Sequence, residues 1–182
     1  IRPFTNIDGQ KSSEIDFIDV TITGASRIGD PGDAFAAMEK VNDKAVLGVS
    51  AEAVGVLETL LQKTVEYSKT RKQFGTVIGT FQALQHRMAD MFIECQLARS
   101  IVVMAAMKLD SSADQREKTK AVSAAKSRVG KAIRRVSQEA VQIHGGIGVT
   151  NELDVGHYFK RATALEIMFG NTDYHVERFA SL

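Results

Sequence analysis

The sequence predicts a mainly α protein, an up-down four-helix bundle of long antiparallel helices with a short β hairpin at its N-terminus. Two observations support this prediction. After residue 33, apolar residues recur at spacings of three and four over long segments, which is typical of helices that share one core. The first 33 residues instead show strand-forming side chains around an Asp-Gly pair and hold both prolines, Pro3 and Pro31.

Residues 1–33 are expected to form a hairpin and a linker. Asp8-Gly9 favours a two-residue turn, because Asp and Gly accept the positive φ values that such turns need. The segment QKSSEIDFIDVTI is the predicted second strand, and its apolar residues are Ile15, Phe17, Val20 and Ile22. The turn-forming sequence GDPGD predicts the linker, so the helical domain is expected over residues 34–182.

Three long helices and two shorter ones are predicted after the linker. The first runs from near Ala34 to near Ser68, with an apolar stripe of Val54, Leu57, Leu61 and Val65. The second carries an unbroken seam of apolar residues from Phe81 to Leu109, which predicts coiled-coil-like packing. The third follows the polar break SSADQREKT, and the short helices are expected after 150 and after 172.

Composition limits the classes of function. A formal charge of +1 over 182 residues gives no general reason to expect nucleic-acid or membrane binding, and we find no uninterrupted apolar span that could cross a bilayer. The single cysteine, Cys95, excludes an internal disulfide and predicts a buried inert thiol, so a reducing, cytoplasmic location fits best. The histidines show no metal-ligand spacing, so no metal is expected. The chain starts at Ile1 like mid-protein sequence, so we expect a fragment.

The motif RKQFG follows the first long helix and has two interpretations. Taken alone, it favours a basic helix end that is stopped by Gly75. The alternative is a phosphate-binding segment, in which Arg71 makes a forked contact to a pyrophosphate and Phe74 packs on a ring. In the next motif, FQALQHR, Phe81 is expected in the core. Gln82 lies in the first turn of its helix, where backbone amides attract anions.

Two glycine-containing motifs lie further along the chain. QIHGGIGVT ends the third helix, and its three glycines exceed what one helix stop needs, so a ligand could approach the uncovered backbone. A helix precedes this motif, which excludes the strand–turn–helix fingerprint of dinucleotide folds. FGNTDYH near the C-terminus places Asp173 and His175 beside a Gly-Asn turn, which makes it a candidate acid–base site.

The order of these motifs, followed by HYFKR and the Gly-Asn-Thr turn, resembles the C-terminal helical domain of the acyl-CoA dehydrogenase family. Within that family, AEAVGVLETL, FQALQHRMADM and HGGIG most resemble the small subunits of pimeloyl-CoA dehydrogenases and their relatives. The resemblance covers nearly the whole chain. Residues 1–33 then resemble the end of the family's middle β domain, and residues 34–182 resemble its C-terminal helical bundle domain.

The resemblance implies a function for the protein to which the chain belongs. In this family a carboxylate removes the α-proton of an acyl-CoA thioester, and the β-carbon passes a hydride to FAD. Members form homo- or hetero-oligomers, commonly tetramers, with FAD at subunit interfaces, and an electron acceptor flavoprotein is a possible partner. Part of a chain without the other domains is expected to be inactive. The resemblance leaves open a non-catalytic FAD-binding or assembly subunit, or a different flavin chemistry.

The resemblance also implies positions for the cofactor contacts. The residues that match the family's FAD contacts are Arg71, Gln73, Phe74, Phe81, Gln82, Gln142, His144, Gly145, Gly146, Thr172 and, less closely, Asp173. The base is not placed. Gly170 stands where many members carry a glutamate, and its backbone N–H could contact the substrate thioester. Ala45 stands at the alternative base position, and neither Asp43 nor Glu166 has a reason to replace it.

Overall fold

The computed structural model describes residues 1–32 and 34–182. The chain begins with a hairpin of β1 (Arg2–Thr5) and β2 (Lys11–Glu14). Five helices and a second small hairpin follow it. In chain order these are α1 (Ala34–Thr70), β3 (Lys72–Gln73), β4 (Thr76–Val77), α2 (Gln82–Asp110), α3 (Gln115–His144), α4 (Val155–Ile167) and α5 (Thr172–Ser181).

The predicted mainly α helical bundle is confirmed. Helix α3 is the central element, because it packs against α1, α2, α4 and α5. Asp114 caps its N-terminus by accepting a hydrogen bond from the Glu117 N–H at 2.8 Å. Gly145 ends it in the left-handed region with a φ of 67°. The connections between these long helices, residues 71–81 and residues 111–114, are short, so α1, α2 and α3 run antiparallel.

The buried residues of α2 follow its predicted apolar seam. Those of α1 are rotated around the helix relative to the predicted stripe. On α2 the buried residues are Met91, Cys95, Ala98, Val102 and Ala105, and burial raises the pKa of the Cys95 thiol to about 12. On α1 the predicted stripe is wrong in part: of its members only Leu57 is buried, and the buried line passes through Ser50, Thr64 and Ser68. These hydroxyls fit in the core because each donates to a carbonyl of its own helix at 2.7 Å.

The N-terminal hairpin differs from its prediction in turn and length. Only Gly9 has a positive φ, 83°, and its N–H donates to the Asn6 carbonyl at 2.9 Å, so the connection is longer than two residues. The second strand ends at Glu14, because the register pairs that residue with Arg2 and leaves almost no partner strand beyond it. The predicted strand residues after it are exposed: Ile15, Phe17, Val20 and Ile22.

The motif RKQFG forms a hairpin and does not end the helix. Helix α1 stops at Thr70, and Phe74 and Gly75 have φ values of 56° and 81°, the pair that a tight two-residue turn requires. The turn pairs Gln73 with Thr76. The prediction that Gly75 stops the helix is therefore wrong, since the β-branched residues after it favour an extended chain.

Helix α1 is long and apolar enough, by length and composition alone, to cross a membrane. The expectation that no span of the sequence could do so is therefore corrected for α1. Core helices of bundles pass the same test. In this fold α1 packs against α2, α3 and α4, and it carries the buried Asp43. These contacts are those of a bundle helix.

Candidate functional site

A cleft of about 550 Å³ lies where the end of α1, the start of α2 and the end of α3 meet. The β3–β4 hairpin and the glycine turn after α3 form its rims. The residues that line this cleft are Tyr67, Arg71, Gln73, Phe74, Ile78, Phe81, Leu84, Arg87, Gln142, Ile143, His144, Gly145, Gly146 and Ile147. The cleft thus joins three segments that are far apart in sequence.

Most of the residues that sequence placed at a cofactor site lie together in this cleft. They are Arg71, Gln73, Phe74, Phe81, Gln142, His144, Gly145 and Gly146. Gln82 is exposed in the first turn of α2, beside the cleft and outside its lining. The remaining predicted residues, Gly170, Thr172 and Asp173, lie at the start of α5 and line no part of it.

The hairpin rim presents a cation and an aromatic ring to solvent. The backbone of Arg71 is fixed, because its N–H donates to the Tyr67 carbonyl at 2.9 Å and its carbonyl accepts from Ile78 at 2.8 Å. Within residues 1–32 and 34–182, no acidic side chain forms an ion pair with its guanidinium. The Phe74 ring is 93% exposed and meets the Phe81 ring edge to face at 6.2 Å. Such an arrangement suits an anion that is attached to a ring. The expectation that Phe81 lies in the core is wrong, because its side chain is exposed and lines the cleft.

The glycine turn Gly145–Val149 has two kinds of glycine. A Cβ placed on Gly145 or Gly146 would meet no atom within 4 Å, so their backbone faces open space. A Cβ on Gly148 would instead lie 2.9 Å from the Cβ of His144 and 3.0 Å from the Val141 carbonyl. Gly148 is therefore required by packing, whereas the first two leave room for a ligand to approach the main chain.

Tyr67 holds the glycine turn in place, a role that no sequence motif indicated. Its ring stacks on the His144 ring at 4.4 Å, and its hydroxyl donates to the His144 carbonyl at 3.3 Å. The Nδ1 atom of His144 lies 2.8 Å from the Ala140 carbonyl. Burial lowers the pKa of His144 below its ordinary value of 6.5, so the imidazole is neutral at physiological pH. Arg87 is a second lining residue outside the predicted set.

The remaining predicted residues belong to a second region, the α4–α5 turn, which we define as residues 166–175. It packs on α3 at Gly130, where any Cβ would collide with the Thr172 hydroxyl. Gly130 precedes Gly145 by 15 residues of one helix, or about 22 Å. The predicted cofactor residues of one chain are therefore divided between two distant regions.

Most polar groups of the α4–α5 turn are paired within the fold, and the exception among the described residues is the buried Nδ1 atom of His175. The Thr172 hydroxyl donates to Glu166 Oε1 at 2.9 Å, and its backbone N–H donates to the same oxygen at 3.2 Å. Arg134 donates to that oxygen at 3.1 Å. The buried Lys126 amine donates to the carbonyls of Leu165 and Glu166, both at 2.8 Å. Burial lowers the pKa of Lys126 to about 8.

Gly170 lies in a conformation that excludes larger residues. Its φ is 100°, and a Cβ would collide with the Tyr174 ring and lie 3.1 Å from His175 Nε2. Its N–H donates to the Ile167 carbonyl at 3.2 Å. His175 is fully buried, its Nε2 lies 3.0 Å from the Phe169 carbonyl, and burial lowers its pKa. This position, which resembles the family's base position, has no space for a carboxylate.

The two carboxylates that sequence left without a role are both structural. Asp43 is 1% exposed and accepts hydrogen bonds from Thr119 at 2.7 Å, Gln115 at 3.0 Å and Arg178 at 2.7 Å. Glu166 is held by Arg134 and Thr172 as described above. Asp43 is enclosed by partners on both oxygens, whereas the hydrogen bonds to the Glu166 carboxylate all reach Oε1.

Comparison with known proteins places this geometry in context. The family model described as "Acyl-CoA dehydrogenase, C-terminal domain" matches residues 35–181. The probable acyl-CoA dehydrogenase YngJ of Bacillus subtilis is 35% identical over 92% of this chain and 43% of its own length. Acyl-CoA dehydrogenase IpdE2 of Mycolicibacterium smegmatis is 45% identical over 66% of this chain and 36% of its own. The caffeyl-CoA reductase-Etf complex subunit CarC of Acetobacterium woodii is 32% identical over 90% and 42%.

Solved structures share the same fold. Butyryl-CoA dehydrogenase from Megasphaera elsdenii superposes with a TM-score of 0.91 at 28% identity, over 99% of this chain and 47% of its own. The ChsE4–ChsE5 complex from Mycobacterium tuberculosis gives 0.88 at 27% identity, over 98% and 47%. PigA with FAD and proline gives 0.92 at 28% identity, over 99% and 47%. The chain spans less than half the length of each of these proteins.

Proposed function

The chain belongs to the acyl-CoA dehydrogenase family, and on this premise we propose that it is the C-terminal part of an FAD-dependent acyl-CoA dehydrogenase subunit. The reaction would be the α,β-dehydrogenation of an acyl-CoA thioester. The observation that carries the proposal is the cleft, in which Arg71, Gly145 and Gly146 combine an unpaired guanidinium with uncovered backbone.

The residues of the cleft fit the ADP portion of FAD. Arg71 offers planar, paired N–H donors to a diphosphate, and no acid within the described residues competes for them. Gly145 and Gly146 allow the ligand to approach the main chain, since a Cβ at either position would project into open space. Phe74 and Phe81 supply apolar surface that excludes water. When bound, FAD supplies the acceptor for the hydride that leaves the thioester β-carbon.

The cleft would serve the FAD of a neighbouring subunit. Within one chain it lies about 22 Å along α3 from the α4–α5 turn, so the two regions face different parts of an assembly. The exposure of Phe74 at the hairpin tip favours insertion into such an interface. A homo- or hetero-oligomer is supported by the fold shared with the ChsE4–ChsE5 complex. An electron acceptor flavoprotein is supported by the likeness to CarC, and Cys95 favours a cytoplasmic location.

Neither position that resembles the family's base position carries a carboxylate, which favours a base from a partner subunit or from another part of the protein. Gly170 is closed, Ala45 carries no acid, and Asp43 and Glu166 are held by structural partners. The same observation favours the second candidate, a non-catalytic FAD-binding or assembly subunit. The two candidates differ in one respect only, which is whether acyl-CoA reduces the flavin.

The test uses the protein purified from its own host together with whatever co-purifies. Turnover of an acyl-CoA series with an artificial electron acceptor is measured for the assembly and for the separated full-length subunit. Turnover by the assembly without turnover by the separated subunit supports a partner-supplied base. Robust turnover by the separated subunit contradicts a partner-supplied base. Flavin that is bound but never reduced by any acyl-CoA supports the assembly role.

An Arg71→Gln variant of the assembly tests the cleft itself. Loss of one charge-assisted contact to a diphosphate is expected to weaken FAD binding roughly 10- to 100-fold. Flavin content after gel filtration, read from absorbance, is the measurement. A matched Arg116→Gln variant, which changes an exposed arginine at the start of α3, should retain its flavin. Equal flavin content in both variants would exclude the cleft as the FAD contact.

A further inference from the structure

Arg87 is a second guanidinium in the cleft, and the cofactor contacts implied by the sequence do not include it. It lies on α2 one turn after Leu84, and both residues line the cleft. Arg71 reaches the same cleft from the end of α1. Two arginines from different helices therefore line the same space.

The ion pair of Arg87 involves only the Nε atom of its guanidinium. Its Nε lies 2.9 Å from Glu139 Oε2, and the two side chains are 43% and 23% exposed. Among the described residues, no well-aligned hydrogen bond reaches that carboxylate oxygen. The Nε atom carries only one of the five N–H donors of a guanidinium, so the approach does not by itself use the terminal nitrogens.

A neighbouring arginine on the same helix pair shows the contrast. Arg128 approaches Glu94 at 2.6 Å, and their side chains are only 24% and 15% exposed. That pair lies away from the cleft, in the α2–α3 interface, and is the usual structural type. The contact of Arg87 with Glu139 is longer than that of Arg128 with Glu94, and the Arg87 side chain is more exposed. Arg87 also lines a space large enough for a ligand.

The charge of the cleft suits two phosphates. Arg71 and Arg87 bring two guanidinium groups to the lining, no acidic residue is among the described residues that line it, and Glu139 pairs with Arg87 from outside the lining. His144 adds no charge, because burial keeps it neutral. A diphosphate bears a negative charge on each phosphate, and a guanidinium on either side can bind one of them.

We propose that Arg87 is a second phosphate-binding residue of the cleft. The ligand class is the ADP portion of a dinucleotide, and the inference rests on the proposed function. Arg71 alone would hold one phosphate. Arg87 makes the cleft prefer a diphosphate over a monophosphate.

The experiment measures how well ADP, AMP and adenosine prevent FAD from rebinding to the deflavinated native assembly. Wild type, Arg87→Gln, Arg87→Lys and Glu139→Gln are compared. Arg87→Gln is expected to lose roughly tenfold in ADP affinity with no change for adenosine, because only the phosphate contact is removed. Arg87→Lys should recover part of the loss, since it keeps the charge without the fork.

Glu139→Gln is the control for the structural ion pair. It breaks the same pair, so it should lower the melting temperature as much as Arg87→Gln while keeping the preference for ADP over AMP. Equal losses of that preference in both variants, or no loss in Arg87→Gln, would overturn the inference. If ADP does not compete with FAD on the wild type, the proposed function fails and this inference fails with it. A preference that is lost only in Arg87→Gln supports both.

Discussion

The cleft and the α4–α5 turn both contain glycines, basic residues and a buried histidine, yet they differ in what their polar groups contact. In the cleft, Gly145 and Gly146 face open space, and Arg71 has no acidic partner among the described residues. In the turn, the space beside Gly170 is filled by Tyr174, and Lys126 is bound to two carbonyls. Open space beside the glycines and a guanidinium without an acidic partner therefore distinguish the cleft from the turn, where one buried atom, His175 Nδ1, also lacks a partner.

The largest expected effect comes from filling the closed region. Gly170→Ala would place a Cβ against the Tyr174 ring at a φ of 100°, and strain with displacement should cost about 3 kcal/mol of unfolding free energy. For a chain of this size the melting temperature should fall by about 9 °C. Thermal unfolding by circular dichroism gives the measurement.

A double variant separates the two causes of that loss. Gly170→Ala with Tyr174→Ala removes the collision and keeps the unfavourable φ, so it should be less destabilised than the sum of the single changes. If Gly170→Ala unfolds at the wild-type temperature, the turn is not closed as described. The contrast with the cleft would then disappear.

The matching change in the open region should affect binding and leave stability unchanged. Gly146→Ala meets no atom and needs no positive φ, so the melting temperature should stay within about 1 °C of wild type. Its methyl group would point into the ligand space, and FAD affinity should fall about tenfold, or about 1.4 kcal/mol. Flavin fluorescence titration of the deflavinated assembly measures this change.

Gly55→Ala is the control for that substitution. Gly55 is exposed on α1, away from the cleft, and its Cβ would also meet nothing. Alanine there should stabilise the helix slightly and leave FAD affinity unchanged. If Gly146→Ala binds FAD as tightly as Gly55→Ala, the uncovered backbone is not used by the cofactor.

The smallest expected effect concerns pH. Burial is the main cause that lowers the pKa of His175 below 6.5, and Lys126 and Arg178 lower it further, against Asp43 and the Phe169 carbonyl. As pH falls, His175 therefore binds a proton in the unfolded chain at a higher pH than in the folded chain. The contribution of His175 to stability is complete above about pH 6.5 and is lost as pH falls below that value.

His175→Gln removes this titration and tests it. Between pH 7.5 and 5.5 the melting temperature of wild type should fall about 3 °C further than that of the variant. The carboxylates and His144 titrate alike in both proteins, so the difference isolates His175. Parallel pH curves would show that the pKa of this side chain is not lowered in the folded turn.

The sequence predicted the fold because its signals are local. The apolar spacing that predicted the seam of α2 depends on neighbours within one helix. The β3–β4 hairpin was missed because Phe74 adopts a positive φ, which a phenylalanine side chain rarely favours. The predicted stripe of α1 was misplaced because Ser50 and Thr64 donate their hydroxyls to carbonyls of the same helix and can therefore be buried.

The predicted cofactor residues of three motifs lie together in the cleft, and the others lie elsewhere. The three motifs of the cleft are brought together by the packing of α1, α2 and α3. Tyr67 and Arg87 were not found, since their importance depends on contacts with α3 that sequence spacing does not show. Thr172 was assigned to the cofactor by its position in a motif, and only the structure reveals its bond to Glu166.

The most direct test of the central claim is a structure of the native assembly with FAD bound, by crystallography or electron cryomicroscopy. We expect the FAD diphosphate to lie within hydrogen-bonding distance, about 3 Å, of the Arg71 guanidinium and of the main chain at Gly145 and Gly146. The flavin end should reach into a neighbouring subunit. A structure in which the FAD diphosphate lies away from Arg71, while the cleft holds only protein or solvent, would contradict this account.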